Sequence, residues 1–496
     1  MTFSDWYYLL LFAAGIGVLI FISELLRKTT SWSIEGTRKI VHIAVGLFVA
    51  STPFLLNSMY PVLMLGIMFA VLDFIAVRRH WLNGMHSTRR PSYGTVFYPL
   101  SIVILTLWLW NSHPLIFINS ILIMAVPDAL AAMVGEHIAR PREYYFGPEK
   151  KSVQGSFTMF LSTWVILLIG FFFLSPLFGQ HWSTQQILWT AIITAFLATA
   201  GEMVSVRGSD NLTVPLISAF SLFYLIAEPL DQRIQFSIGM ALALILALIS
   251  FQLKFLTGGG SVSLLILGTL VFGIGGSTFA IPILAFFVLS SILSKTGKKR
   301  KDTLINIFEK SGCRDAGQVL ANGGLAGLLV LVWYFTGEQD IYILYITSLA
   351  AVTADTWATE IGVLSKRLPR SILTFKQVPL GTSGGITFLG SLGALIGSAL
   401  IGFIGFLVTS ELEFGLSALI LVSFAGLIAS FVDSLLGITV QSQYQCQVCA
   451  KITEKKQHCE VPSVFFKGWH WVNNDTVNLL CAVSGVLLVW IFVTMI

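Results

Sequence analysis

Apolar segments long enough to cross a lipid bilayer recur along nearly the whole chain, and they limit its fold more than any other feature. A helix of about 20 apolar residues spans the hydrocarbon core of a bilayer. About sixteen such segments can be counted here, including separate ones at 261–275 and 278–293. Only 11% of the residues are charged, whereas a soluble domain carries about a quarter. The sequence therefore predicts an all-α polytopic membrane protein with about 16 transmembrane helices.

Lysine and arginine are concentrated in alternate loops between these segments. Residues 140–151 and 366–376 are basic, for example, whereas residues 111–113 contain no Lys or Arg. Loops rich in Lys and Arg remain on the cytoplasmic side of a membrane, so we expect the basic loops there and both termini on the opposite side. No basic n-region or cleavage site opens the chain, so no signal peptide is expected. The net charge of +5 comes from these loops, and no nucleic-acid partner is expected.

One polar signature occurs twice within the apolar background. The chain has Pro-Asp-Ala-Leu-Ala-Ala-Met-Val-Gly at 127–135 and Ala-Asp-Thr-Trp-Ala-Thr-Glu-Ile-Gly at 354–362, each followed by a basic loop and then small residues. Asp128 and Asp355 are 227 residues apart. A carboxylate inside a membrane is costly and usually functional, so the repetition predicts two loosely pseudo-repeated halves, each with a site for phosphate and metal. We place them at 1–228 and 229–496, with a Cys-rich cytoplasmic loop at 440–472.

The first half contains donors suited to a metal-bound phosphate. Mg²⁺ binds through carboxylate oxygens together with substrate phosphates, while basic side chains and helix N-termini attract phosphate oxygens. The candidate catalytic residues are Asp128 and Glu202; the alternatives are structural hydrogen bonds for the acids and a purely topological role for the bases. The predicted Mg²⁺ ligands are Asp128, Glu202, Asp210 and Asn211, and the predicted phosphate-binding residues are Arg38, Lys150, Lys151, Gly155 and Ser156.

The second half contains a similar set. Arg314, Gln318 and Asn322 recur every four residues, and we expect this stripe to line a cavity because a polar stripe facing lipid is costly. Asp355 and Glu360 lie about 140° apart on a helix, so they need not share a ligand. The predicted catalytic residues are Asp355, Glu360 and Asp433; the predicted Mg²⁺ ligands are Asp355, Asp433, Asn474 and Asp475; and the predicted phosphate-binding residues are Arg314, Lys376, Gly381, Thr382, Ser383 and Gly384.

The Cys-rich loop contains Cys446-x-x-Cys449 followed by His458-Cys459. These residue types and this spacing suit a zinc ion, and the reducing cytoplasm argues against disulfides. We therefore expect a structural Zn²⁺ that closes the loop. The alternative is that the four residues bind no metal and lie in an ordinary polar connector.

These motifs resemble known families. Residues 1–228 resemble the phytol kinase and dolichol kinase group, which is related to the CDP-diacylglycerol synthases, and residues 250–496 resemble the phytyl-phosphate kinase family. The first resemblance is carried by Arg38-Lys-Ile-Val-His42, Pro127-Asp128-Ala-Leu-Ala-Ala, Lys151-Ser-Val-Gln-Gly155-Ser156, and Glu202 with Asp210-Asn211. The second is carried by Gln318-Val-Leu-Ala-Asn322-Gly, the signature at 354–362, Val378-Pro-Leu-Gly381-Thr-Ser-Gly384-Gly385, Asp433-Ser-Leu-Leu-Gly437 and Asn473-Asn474-Asp475.

The resemblance implies a bifunctional isoprenoid salvage kinase. It would phosphorylate a prenyl alcohol such as phytol, geranylgeraniol or farnesol to the monophosphate and then to the diphosphate, with CTP or another nucleoside triphosphate as donor and Mg²⁺ as cofactor. The alcohol would enter from the membrane lipid, and the active sites would face the cytoplasm. Two alternatives remain: CTP-dependent cytidylyl transfer to a lipid phosphate, which related synthases perform, and lipid-phosphate transport, since many transporters have duplicated halves.

Overall fold

The computed structural model describes residues 3–29, 34–79, 93–147, 149–295, 313–409 and 415–495. Within these residues, fourteen helices are long and apolar enough to cross a membrane, and the helix Gly94–Leu109 is apolar but shorter. The expectation of an all-α polytopic membrane protein is thus confirmed. The count of sixteen spans stays a prediction.

The chain forms two compact units, Met1–Arg233 and Ile234–Ile496. Eight helices lie in the described part of the first unit: α1 (Phe3–Thr29), α2 (Ile34–Leu55), α3 (Tyr60–Arg79), α4 (Gly94–Leu109), α5 (Pro114–His137), α6 (Val153–Ile169), α7 (Thr184–Val204) and α8 (Asp210–Ala227). A π-helical turn and a 3₁₀ turn extend α6 to Phe178. The antiparallel strands β1 (Glu143–Tyr145) and β2 (Lys150–Ser152) join α5 to α6.

The second unit contains most of α9 (Leu230–Gln252), then α10 (Gly258–Lys295), α11 (Ala316–Thr336), α12 (Asp340–Gly362), α13 (Phe388–Val408), α14 (Leu416–Thr439) and α15 (Asn474–Met495). The antiparallel pair β3 (Arg370–Ser371) and β4 (Gly385–Ile386) precedes α13. Between α14 and α15, the strands are β5 (Gln443–Gln445), β6 (Ile452–Thr453), β7 (Gln457–His458), β8 (Val461–Pro462) and β9 (Val464–Lys467). They form a three-stranded sheet in the order β6-β5-β9 and a β7-β8 hairpin.

The long helix α10 is a hairpin that reverses at Gly276, where φ is 59° and ψ is −154°. A straight helix of this length would separate its ends by roughly 55 Å, yet the Lys295 ammonium donates to the Leu253 carbonyl at 3.1 Å, just before α10 begins. The Gln235 amide donates to the carbonyls of Gly273 and Ile274, at 3.0 and 3.1 Å, next to the reversal. The two arms correspond to the segments predicted separately at 261–275 and 278–293.

Each unit contains a ring of four helices with the same neighbours. In the first unit α5, α6, α7 and α8 pack in that cyclic order, and α12, α13, α14 and α15 do so in the second, where α12 also packs directly against α14. The Ser152 hydroxyl accepts from the Gly155 N–H at 3.1 Å at the start of α6, and the Thr387 hydroxyl accepts from the Gly390 N–H at 3.0 Å at the start of α13. The ring is the framework on which the polar residues of each unit are placed.

Each ring contains an equivalent close contact between two of its own helices. A Cβ atom at Gly155 would lie 3.0 Å from the Ala131 carbonyl oxygen, and a Cβ at Gly390 would lie 2.7 Å from the Ala358 carbonyl oxygen. Ala131 and Ala358 each follow the signature aspartate by three residues. Glycine therefore lets the helix start approach the aspartate-bearing helix in both units.

Candidate functional sites

A cavity of about 910 Å³ lies in the first unit. Its lining contains all nine predicted site residues of this unit, namely Arg38, Asp128, Lys150, Lys151, Gly155, Ser156, Glu202, Asp210 and Asn211. Its apolar lining comes from α1 to α4, with residues such as Phe12, Phe48 and Phe69. Lining residues on α2 extend from Arg38 to Thr52, a distance of about 21 Å along a helix. The cavity therefore connects a charged end to a long apolar compartment.

An ion pair between Lys151 and Glu202 lies at the charged end. The Lys151 ammonium is 2.5 Å from Glu202 Oε1, and both side chains are largely buried. The Asp128 carboxyl interacts electrostatically with Lys151, Glu202 and Asp210, which come from different segments of the unit. Burial lowers the pKa of Lys151, but the Glu202 and Asp210 carboxylates raise it by more, so the pKa lies above its ordinary value. Lys151 is thus a buried cation.

Two oxygen atoms at this end fit the predicted metal. Glu202 Oε2 and Asn211 Oδ1 are buried and have no hydrogen-bond partner among the described residues. The Asp210 carboxylate accepts from the Asn211 N–H at 3.0 Å, which fixes the orientation of the Asp210 side chain at the start of α8. Buried oxygens without partners are costly, and a cation with oxygen ligands, such as Mg²⁺, would satisfy them.

The other predicted phosphate-binding residues of this unit have different surroundings. Lys150 is exposed and pairs with Glu143 across the β1–β2 hairpin. The Ser156 hydroxyl is hydrogen-bonded to Tyr144 at 2.6 Å. The Gly155 N–H donates to Ser152, so this N–H is not free to bind phosphate, and the glycine instead permits close helix packing.

Several polar residues that line the cavity were not in the predicted set. Lys39 forms an ion pair with Glu136 at 3.0 Å. Asp73 lines the cavity from α3, and as the one acidic residue of that helix it could have been noticed in the sequence. The Tyr98 hydroxyl donates to the His42 carbonyl at 2.9 Å, and the rings of the two residues are in contact.

In the second unit, the side chains of Asp355 and Asp433 are hydrogen-bonded to each other. Carboxylates have no hydrogen to donate, so two carboxyl groups in this contact share a proton unless a cation lies between them. Asp433 Oδ1 is buried and accepts no hydrogen bond from any residue that the structure describes. The fully buried Cys481 lies one turn deeper, between the backbones of α12 and α14. The pair therefore fits a divalent cation such as Mg²⁺.

The predicted phosphate loop, residues 381–384, lies beside this carboxyl pair. Gly384 has φ of +76°, and a Cβ there would lie 2.7 Å from the Ser434 carbonyl oxygen, adjacent to Asp433. The Ser383 hydroxyl donates to Glu454 Oε1 at 3.0 Å. The Thr382 hydroxyl donates to the Pro379 carbonyl at 2.8 Å, within the loop. Gly381 also has a positive φ, of 82°, so the turn depends on glycine at both ends of this segment.

The remaining predicted residues of this unit have surroundings of their own. Glu360 interacts electrostatically with Arg314, and burial lowers the pKa of Arg314 below its ordinary value. The stripe of Arg314, Gln318 and Asn322 lines a small cavity of about 50 Å³. The Lys376 side chain is exposed. Asn474 and Asp475 form the first turn of α15.

The predicted zinc ligands are close together. One ligand atom from each of Cys446, Cys449, His458 and Cys459 lies within 4.8 Å of the others. His458 Nδ1 is 3.5 Å from Cys449 Sγ and 3.1 Å from Cys459 Sγ. The five described cysteines form no disulfide: Cys313, Cys446, Cys449, Cys459 and Cys481.

Comparison with known proteins places the chain in a family. The model of integral membrane protein DUF92 matches residues 241–486. A phytol kinase of Synechocystis sp. is 35% identical over 220 residues, which are 44% of this chain and 91% of that protein. Protein PGR of Arabidopsis thaliana is 33% identical over 233 residues, covering 42% and 81% of the two chains. An uncharacterized membrane protein of Methanocaldococcus jannaschii is 31% identical over 210 residues, covering 42% and 85%. No solved structure matches. The chain belongs to the integral membrane protein family DUF92.

Proposed function

We propose that this protein is a membrane-embedded prenyl-alcohol kinase with a second site that phosphorylates the resulting monophosphate. The donor is a nucleoside triphosphate, for which CTP is the choice that the sequence resemblance favours, and both sites face the cytoplasm. One relative is named phytol kinase. That name supports a phosphotransferase acting on an isoprenoid alcohol, and the steps assigned to each unit are our proposal.

The observation that carries the proposal is the cavity of the first unit. It joins the charged end around Asp128 to an apolar compartment lined by α1 to α4. Its volume of about 910 Å³ is at the upper end of the usual range for small-molecule sites, roughly 300–1,000 Å³. A molecule with a long hydrocarbon chain and one polar end matches this lining, whereas a free sugar or amino acid does not. A prenyl alcohol has this form.

Phosphoryl transfer depends mostly on positioning and on charge stabilisation. In the first step the alcohol oxygen bonds to the terminal phosphorus, and the bond from that phosphorus to the nucleoside diphosphate breaks. Asp128, at the charged end of the cavity, accepts the alcohol proton. Lys151 stabilises charge on the transferred group as a buried cation. Glu202, Asp210 and Asn211 would hold Mg²⁺, which would neutralise phosphate oxygens.

The second step takes place at the carboxyl pair of the second unit. An oxygen of the prenyl monophosphate bonds to the terminal phosphorus of a second nucleotide, and the nucleoside diphosphate again leaves. Asp355 and Asp433 would hold Mg²⁺ between their carboxylates. The loop 381–384 lies beside the pair and would contact phosphate oxygens, while Asn474 and Asp475, in the first turn of α15, would supply further oxygen ligands to the Mg²⁺. Arg314 and Glu360 interact electrostatically with each other, and no step is assigned to them.

The test uses the full-length protein in detergent with Mg²⁺, geranylgeraniol, and CTP labelled separately at the α and γ phosphorus. The expected result is γ label in a lipid monophosphate and then in a diphosphate. Asp128→Asn should abolish the monophosphate, and Asp355→Asn should let it accumulate. Asp340→Asn is the matched control, since Asp340 is exposed at the start of the same helix as Asp355. Lipid carrying α label would mean cytidylyl transfer, and unlabelled lipid with every donor would overturn the proposal.

A further inference from the structure

The Cys-rich loop, residues 440–472, has the geometry of a metal knuckle. With zinc–sulfur and zinc–nitrogen bonds of about 2.3 and 2.0 Å, neighbouring ligand atoms of a tetrahedral site lie roughly 3.5–3.8 Å apart. The measured distances from His458 Nδ1 to the two sulfurs, 3.5 and 3.1 Å, are close to these edges. Three thiols and one imidazole form a complete structural zinc set, with no open position for a substrate.

The backbone around the cluster supports this interpretation. Ala450, Cys459 and Glu460 have φ between 51° and 62°, in the left-handed region that residues other than glycine rarely adopt. Ala450 directly follows one ligand, and Cys459 is itself a ligand. Such conformations persist where other interactions hold them. A metal bonded to four points of the loop would supply that constraint.

The loop also reaches the carboxyl pair of the second unit. Between the ligands Cys449 and His458, the chain passes through β6 and places Glu454 beside the phosphate loop. Glu454 Oε1 accepts from the Ser383 hydroxyl at 3.0 Å. The Glu454 carboxylate also interacts electrostatically with Asp433. The segment that the metal would close is therefore the segment that contacts the site.

We propose that the four ligands bind one structural zinc ion, and that the loop closed by this ion positions Glu454 against Ser383 at the edge of the carboxyl pair. Zinc binding is inferred from the geometry of the loop and does not depend on the proposed function, whereas the effect on catalysis rests on the proposed function. Glu454 is a positioning residue in this scheme. It acts through the Ser383 hydroxyl, which it holds on the loop that borders the pair.

Zinc is measured first, on the full-length protein purified in detergent without added chelator. About one zinc per chain is expected by elemental mass spectrometry, and Cys449→Ser and Cys459→Ser should each lose it. Cys313→Ser is the matched control, because Cys313 is an exposed cysteine outside the cluster. A wild-type protein without bound zinc, or equal zinc in the ligand variants, would overturn the metal site.

Limited trypsin digestion measures how accessible the loop is to cleavage, and it does so independently of catalysis. Lys451, Lys455 and Lys456 lie within the segment between the ligands. Removing zinc with 1,10-phenanthroline should speed cleavage after these lysines, and restoring zinc should slow it again. Cleavage that is unchanged by zinc removal would contradict a structural role for the metal.

The positioning role is tested with Glu454→Gln and Ser383→Ala. Both variants should keep their zinc and their melting temperature. Because partners beyond the direct contacts of a site usually contribute 10- to 100-fold, the KM for the nucleotide in the second step should rise about tenfold. Alcohol phosphorylation in the same preparation is the internal control. An unchanged second step would overturn the positioning role. A wild-type protein that forms no labelled lipid would overturn the proposed function, while the zinc and trypsin results would still decide the metal site.

Discussion

Replacing Lys151 by Met removes the buried cation at the charged end of the cavity. The exposed fractions of the Lys151 and Glu202 side chains are only 16% and 10%, so the substitution leaves a carboxylate buried without its partner. Breaking a buried ion pair on one side costs about 3–5 kcal/mol. Removing a group that stabilises charge in a transition state typically costs roughly 10²- to 10³-fold in rate. Lys151→Met should therefore lower both the melting temperature and the rate of alcohol phosphorylation.

The neighbouring lysine provides the control. Lys150 pairs with Glu143, and the exposed fractions of these side chains are 52% and 34%. Exposed ion pairs contribute little because water and salt screen them. Lys150→Met should therefore leave the melting temperature close to that of the wild type, and its effect on the rate should be much smaller than that of Lys151→Met.

The double substitution Lys151→Met with Glu202→Gln separates stability from catalysis. It removes both charges, so most of the lost stability should return, while the rate of alcohol phosphorylation should stay as low as in Lys151→Met or fall further. Thermal unfolding in detergent and transfer of γ label from CTP to geranylgeraniol are the two measurements. Equal effects of the two single lysine substitutions, or full activity in Lys151→Met, would refute the assignment of Lys151 to the site.

Three further predictions concern the framework. Gly390→Ala places a Cβ 2.7 Å from a backbone oxygen and should lower the free energy of unfolding by about 1–3 kcal/mol through overpacking. Gly324→Ala is the control, since a Cβ there has no neighbouring atom within 4 Å, and it should not lower the melting temperature. Equal melting temperatures of the two variants would contradict the close helix contact at Gly390. Gly276→Ala should cost about 1–3 kcal/mol, because its φ and ψ are accessible essentially to glycine alone, and an unchanged melting temperature would contradict the sharp reversal. Burial lowers the pKa of His113 in the folded protein, so as the pH falls the unfolded chain binds a proton at a higher pH than the folded chain does, and the free energy of unfolding decreases. The melting temperature of the wild type should therefore fall more between about pH 7.5 and 5.5 than that of His113→Gln. Parallel melting-temperature profiles of the two proteins would contradict the lowered pKa of His113.

The fold class could be predicted from the sequence because the bilayer imposes a length and a composition on each span. The reversal inside α10 was anticipated for the same reason: an apolar stretch of 38 residues is too long for one crossing. The signature aspartates could also be singled out, since an acidic residue in an apolar helix is rare. Each of these predictions depends only on a local property of the sequence.

The partners of the polar residues could not be predicted. Lys151 and Glu202 are 51 residues apart in sequence, and only the packing of α7 against α6 brings the two segments together. Gly155 was assigned to phosphate on composition, but its N–H is used at the start of the helix. Glu454 was not singled out because it lies in a polar loop, where an acidic residue is unremarkable in sequence. Contacts between distant segments depend on tertiary packing, which residue types alone do not specify.

The spacing within the repeated signature has a physical explanation in the structure. The aspartate, the alanine three residues later and the glycine seven residues later share one face of their helix. That face receives the start of the next helix: a Cβ at Gly135 would lie 2.9 Å from the Ser152 hydroxyl, and a Cβ at Gly362 would lie 3.1 Å from the Thr387 hydroxyl. The face that carries the carboxylate is thus also the face that fixes the loop preceding the next helix. That loop carries Lys150 and Lys151 in the first unit and residues 381–384 in the second, so the spacing of the signature helps to fix where these predicted phosphate-binding residues stand relative to the carboxylate.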